Sequence, residues 1–361
     1  MPEVSLPTPS PRAIRGLALI AVSVVGLATV IALHVRPGPG AASRPAVVRQ
    51  PDLTSTMDWI SPREGWVSAL DRQTGTSTLF HTTDSGRHWS RQRVARGLET
   101  PEFFDPQHGV LASDAGTVLT SDGGRHWHDL TLPGGVRAPH PAFADARHAW
   151  AWDPSQAGLL ATIDGGGHWR RLEATGLPSA PAPSHLLGFS DTVHGWLAAG
   201  GVLYGTADGG RTWAALPLPL PPSAAGQSDL GPLSVAPDGR GQLLISGQGS
   251  VWLAATADGG ATWTTARPLP PLASNLTASR MDGAASWAWS ASQLQVTRDA
   301  GGHWTAVALP AWNLMRVQAL DGSTAWVAAN VIDGQRGPRW TLFSTVDSGL
   351  TWIAATTPTL S

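Results

Sequence analysis

"TSDGGRHW", residues 120–127, decides the fold because it recurs. The related octapeptides are "TTDSGRHW" (82–89), "TIDGGGHW" (162–169), "TADGGRTW" (206–213), "TADGGATW" (256–263), "TRDAGGHW" (297–304) and "TVDSGLTW" (345–352), which makes seven copies. All share Thr at the first position, Asp at the third, Gly at the fifth and Trp at the eighth. A single copy reads as an acid, a base and a cation gathered on a loop. Seven copies read as a structural repeat, and the mean spacing of their aspartates is about 44 residues, the length of one four-stranded propeller blade.

A second pattern sets the register. A pair of residues five apart precedes each octapeptide: Ser61 and Trp66, Asp105 and Val110, Asp145 and Trp150, Asp191 and Trp196, Asp238 and Leu243, Asp282 and Trp287, Asp321 and Trp326. An Asp or Ser side chain caps a turn by accepting backbone N–H groups, and a large apolar residue after it suits the space between neighbouring sheets. The pair therefore belongs at the turn from the first to the second strand of a blade, and the octapeptide at the turn from the third to the fourth. Third strands such as "GTVLTSD" and "SVWLAATAD" carry the β-branched and small residues of half-buried strands.

Composition agrees. The chain has 361 residues, 42% of them hydrophobic and 14% charged, with 41 Gly and 30 Pro to punctuate short strands. All 24 basic residues are Arg, and against 26 acidic residues the net charge is -2, which gives no field for nucleic acid. The absence of Cys removes disulfides, thiolate catalysis and thiolate metal sites. The expected fold is all-β, a seven-bladed propeller of four-stranded antiparallel blades over residues 53–361, which leaves only short protected strand edges.

Ahead of it, residues 1–15 form an N-terminal tail, and "GLALIAVSVVGLATVIALHV" (16–35) is an uncharged run long enough to span a bilayer. That run exceeds the roughly 7 to 15 apolar residues of a cleavable signal, so a transmembrane anchor is expected. Residues 36–52, rich in Pro, Gly and Ala, read as a linker. Arg36, Arg44 and Arg49 outnumber Arg12 and Arg15, so charge leaves orientation open. The layout of a short tail, one span and a large β domain places the propeller outside the cytoplasm.

The S/T-x-D-x-G-x-x-W pattern resembles the Asp-box of the bacterial neuraminidase repeat, seen in sialidases, sortilin ectodomains and the photosystem II stability/assembly factor family. "FSDTVHGWLAAGGVLYGTADGGRTW" (189–213) joins a His-Gly-Trp turn to such a box within one blade and is most similar to the last of these. The resemblance implies a propeller that binds a protein partner, an assembly or stability factor for a membrane complex, with no cofactor. In such boxes the Asp and Trp are structural: Asp84 and Trp89, Asp122 and Trp127, Asp164 and Trp169, Asp208 and Trp213, Asp258 and Trp263, Asp299 and Trp304, Asp347 and Trp352. A catalytic carboxylate repeated seven times around a ring would have no common substrate.

Two other functions compete. A sialidase-like glycoside hydrolase needs a carboxylate pair outside the repeats, three Arg for a substrate carboxylate and an activated Tyr, and Tyr204 is the only tyrosine. A carbohydrate or cell-wall binding module is the third reading. For metal, His126 and His128 have no third ligand at suitable spacing. The candidate partner-binding residues are the basic run Arg87, Arg91, Arg93 and Arg96, with Arg125 and Arg211 repeating the Arg87 position. Variable loops on the face opposite the boxes add Arg137, His140, His185, Arg280, Trp312, Arg316, Arg336 and Arg339.

Overall fold

The computed structural model describes residues 53–133, 141–153, 158–178, 186–220, 229–236, 238–247, 250–270, 275–278, 282–309, 311, 313–333 and 337–358. The expected anchor and linker lie outside them. Among the described residues no helix is long and apolar enough to cross a membrane. Residues Arg49–Ser361 belong to one compact unit.

Twenty-eight strands form seven four-stranded antiparallel sheets, each from four consecutive strands. Blade one comprises β1 (Leu53–Trp59), β2 (Gly65–Asp71), β3 (Thr76–Thr82) and β4 (Ser90–Arg96). The first strands of the later blades are β5 (Thr100–Phe103), β9 (Ala142–Phe143), β13 (Leu186–Phe189), β17 (Asp229–Val235), β21 (Asn275–Ala278) and β25 (Leu314–Ala319). These strands pack against one another from blade to blade, β1 against both β5 and β25, so they line the axis of the ring. Fourth strands start at or after the residue following the box Trp rather than at the Trp itself, as with Ser90 and His128.

The octapeptide closes on itself by side-chain bonds to its own backbone. In the second copy, Asp122 Oδ1 accepts the N–H groups of Arg125 at 3.0 Å and His126 at 2.9 Å. The Thr120 hydroxyl donates to the same oxygen at 3.0 Å and accepts the Gly124 N–H at 2.9 Å. Gly124 has φ 89°, which a Cβ would penalise. The Trp127 indole N–H then donates to the Gly124 carbonyl at 2.9 Å.

The two motifs clasp each other in every blade. The N–H at box position four donates to a carbonyl of the preceding first turn: Ser85 to Arg63, Gly123 to Gln107, Gly165 to Arg147, Gly209 to Val193, Gly259 to Gly239, Ala300 to Ala284 and Ser348 to Ser323, all within 2.7–2.9 Å. The capping residue supports the other side of the clasp, as where Asp105 Oδ1 accepts from Gln107 and His108, and Ser61 Oγ accepts from Arg63 and Glu64. Boxes and first turns therefore share one face of the ring.

Between blades, the apolar residue of the pair packs on the next sheet. Trp66 stacks on Phe103 with centroids 3.5 Å apart, and Trp150 on Phe189 at 3.6 Å. The Gly before the Trp follows from this contact. A Cβ on Gly109 would lie 2.5 Å from the Phe103 ring, one on Gly195 2.5 Å from Phe189, and one on Gly65 2.3 Å from Trp59. The aromatic ring at the end of each of these first strands lies flat over that glycine of its own blade.

The ring closes without exchanging a strand, since blade seven is built from β25, β26 (Ala325–Asp333), β27 (Gly337–Thr345) and β28 (Ile353–Ala354). Trp326 stacks on Trp59 of blade one at 3.4 Å and 4°. Gln318 Oε1 accepts the Trp59 N–H at 2.9 Å, and the Trp340 indole donates to Ser55 Oγ at 2.9 Å. The segment after β28 reaches blade one, where Thr356 N–H donates to the Gly86 carbonyl and Trp89 Nε1 donates to the Thr356 carbonyl at 2.7 Å.

Candidate functional site

Box position seven carries His88, His126, His168, Thr212, Thr262, His303 and Thr351, and in all seven copies its side chain meets the second oxygen of the box Asp. The imidazole Nδ1 atoms lie 2.5–2.6 Å from Oδ2, and the Thr hydroxyls donate at 2.5–2.7 Å. His126 is therefore tied into the turn through its own box carboxylate. The backbone N–H of position seven, then its imidazole, hold Asp84, Asp122 and Asp164 far below the usual carboxylate range. For Asp208 burial opposes the shift, but the Thr212 N–H and hydroxyl outweigh it and bring the value down to about 2.

The basic candidates separate when placed in space. Arg87 and Arg125 occupy position six in adjoining blades and are exposed. Arg211 stands apart, because blade three intervenes with Gly167 at that position, and its guanidinium donates to its own box carbonyl at Asp208, 3.0 Å away. Arg91, Arg93 and Arg96 lie on β4, the outermost strand of blade one. Of these, Arg93 Nε is 3.0 Å from Oε1 of the buried Glu99, so its charge is already matched.

Arg125 also acts on its neighbour. His81 stacks on Trp66 at 4.4 Å, and its Nε2 lies 3.0 Å from Glu64 Oε1. Burial chiefly lowers the His81 pKa and Arg125 adds to that, while Glu64 opposes both. Four carboxylates outside the repeats that a hydrolase would draw on are held by neighbours: Glu64 by His81, Glu99 by Arg93, the fully buried Asp153 by Arg171 at 2.5 Å, and Asp58 by Phe103 N–H at 2.6 Å and Gln318 Nε2 at 2.9 Å. Among the described residues no three His, Asp or Glu side chains gather as a metal shell would require.

Of the loop candidates, Arg137, His140, His185, Arg280, Trp312 and Arg336 lie outside the described residues, as does the side chain of Arg339 on β27. Arg316 is on β25, an axis-lining strand, toward the end away from the boxes. It is exposed and makes no hydrogen bond or ion pair among the described residues. The surrounding protein mass pushes its guanidinium pKa down, against the pull of the Asp58 charge.

No protein-family model and no curated protein matches the chain by sequence. Solved structures do match. A structure described as YCF48 bound to D1 peptide aligns with TM-score 0.54 and 17% identity over 83% of this chain and 95% of that one. YCF48 from Cyanidioschyzon merolae aligns with TM-score 0.51 and 18% identity over 70% and 83%. An ancestral GH74 enzyme aligns with TM-score 0.50 and 11% identity over 84% of this chain and 54% of that one. The same architecture thus serves an enzyme and a peptide-bound protein, so fold alone does not decide chemistry. At these identities the chain shares with the YCF48 propellers their fold, in keeping with its resemblance to the photosystem II stability/assembly factor family.

Proposed function

We propose that this protein is a non-catalytic propeller that binds a polypeptide partner on the face opposite the boxes, as an assembly or stability factor for a membrane complex. The observation that carries the reading is Arg316, an exposed cation on an axis-lining strand whose side chain feels the Asp58 charge but makes no hydrogen bond or ion pair among the described residues. It sits on a scaffold similar to a propeller solved with a peptide. An exposed Arg on a rigid strand suits a carboxylate or a backbone carbonyl of an incoming chain. We further propose that residues 16–35 anchor the domain and hold it outside the cytoplasm, supported by their twenty-residue uncharged run.

The test is capture of the propeller's partners from membranes of its host, run beside a fluorogenic sialoside assay. The reading predicts a stoichiometric polypeptide partner lost on Arg316→Ala and no turnover. Turnover abolished by mutating a carboxylate outside the repeats would overturn it. Protease treatment of intact cells tests the placement, which predicts digestion before lysis.

A further inference from the structure

No peptide connection leads from blade seven into blade one, yet the segment after β28 crosses that seam and docks on box one. Thr356 donates its N–H to the Gly86 carbonyl at 3.0 Å, and its hydroxyl lies 2.8 Å from the Arg87 carbonyl. Trp89 Nε1 returns a bond to the Thr356 carbonyl at 2.7 Å. Boxes two to five differ, because their Trp indoles donate to the fifth-position carbonyl of their own turn, as from Trp127 to Gly124 and from Trp213 to Gly210, each at 2.9 Å. In box one that carbonyl and that indole are both given to an incoming chain.

Box seven makes a similar exchange with a segment that has no freedom to leave. Trp352 Nε1 donates to the Ala308 carbonyl at 2.8 Å, but Ala308 belongs to the connection that runs from blade six into blade seven. The apolar contact differs as well. The side chain that reaches the fifth-position glycine of the next box from the end of the preceding blade is Leu130 at Gly166, Leu172 at Gly210 and Val307 at Gly349. At Gly86 it is the single methyl of Ala355. Hydrogen bonds, more than buried apolar area, therefore hold residues 355–358 in place.

The contact reaches the seam itself. Trp89 lies edge-on to Trp59 at 6.0 Å and 76°, and Trp59 stacks on Trp326 of blade seven. Ala355 packs on the same apolar cluster. We propose that box one is a binding site for an extended, hydroxyl-bearing peptide, filled by the chain's own residues 355–358, and that release of this segment unlatches blades one and seven. A single threonine in an extended chain presents the N–H, the hydroxyl and the carbonyl that Gly86, Arg87 and Trp89 require. The site lies on the box face and does not depend on a partner at Arg316.

The test is hydrogen exchange read blade by blade on variants of the full chain. Thr356→Pro removes both donors, and the expected result is exchange in blades one and seven faster by roughly tenfold or more, with blades three and four unchanged. Thr356→Ser keeps both donors and should match the wild type. Trp89→Phe, which keeps an aromatic ring and loses the indole donor, should speed the same two blades and add little when combined with Thr356→Pro. The peptide acetyl-Ala-Thr-Thr-Pro-amide at millimolar concentration should restore protection to Thr356→Pro in a saturable way, and its Ala-Val-Thr-Pro counterpart should not. If Thr356→Pro fails to fold, Thr356→Val, which loses only the hydroxyl, carries the same expectations at smaller size. Folded variants that exchange as the wild type does, or a peptide that restores nothing, would overturn the proposal.

Discussion

Truncating Trp326 to Ala removes the ring that seals blade seven against blade one. The indole is fully buried and lies 3.4 Å from Trp59 in a parallel stack. Its Nε1 has no hydrogen-bond partner, so truncation strands no acceptor and the loss is cavity and stacking alone. Emptying a buried Trp site costs about 3–5 kcal/mol, of which stacking is roughly 1 kcal/mol. That is a large part of the roughly 5–15 kcal/mol that holds a domain together. Trp150→Ala removes an equivalent stack between blades three and four, which the chain also joins covalently. No peptide connection joins blade seven to blade one, so only the Trp326 variant should let the ring open. Urea unfolding followed by circular dichroism, with hydrogen exchange read blade by blade, separates the two. Both variants should lose about 3–5 kcal/mol, and only Trp326→Ala should show faster exchange confined to blades one and seven. A loss below about 1 kcal/mol, or exchange at the seam no faster than in Trp150→Ala, would refute the reasoning.

Thr120→Val leaves the Gly124 N–H and Asp122 without their shared hydroxyl, and should cost about 1–3 kcal/mol in chemical unfolding. Gly109→Ala drives a Cβ to 2.5 Å from the buried Phe103 ring and should cost about 1–3 kcal/mol by the same measurement, while exposed Gly200→Ala meets nothing within 4 Å and shows only the strain of its φ of 61°. Box aspartates have pKa values depressed by folding, so their contribution is complete above the unfolded value of about 3.9 and is lost as pH falls through the folded value. For Asp208 and Asp299 that value is about 2. The urea midpoint should therefore fall steeply from pH 4 toward pH 2, and a flat profile there would show that these bonds do not stabilise the fold.

The blade count, the register and the role of the capping residues were legible because a hydrogen-bonded turn needs the same few side chains each time it is built. The shared face of the two motifs was legible too, although the backbone clasp between them, as from Gly123 to Gln107, involves no side chain and leaves no residue signature. Position seven carried a signal that was open to reading: only His or Thr occurs there, and both present a donor to the box carboxylate. The Gly of the His-Gly-Trp turn carried another, since a flat aromatic such as Phe189 lies over Gly195. What the repeats could not reveal were properties of neighbours in space. Arg93 meets Glu99 through the connection into the next blade, Arg211 is separated from Arg125 by blade three, and Val110 packs with Phe143 and Ala149 of the next blade.

The central claim, that a polypeptide is held at the face opposite the boxes, is tested most directly by site-specific photo-crosslinking in host membranes. One protein keeps Arg316 and carries the crosslinking residue in place of Asn313, which is exposed just before β25, and a control carries it in place of Leu350, which is 85% exposed on the box face of the same blade. The account predicts one discrete polypeptide adduct from position 313 and none from position 350. Equal labelling from both positions, or none from either, would contradict it.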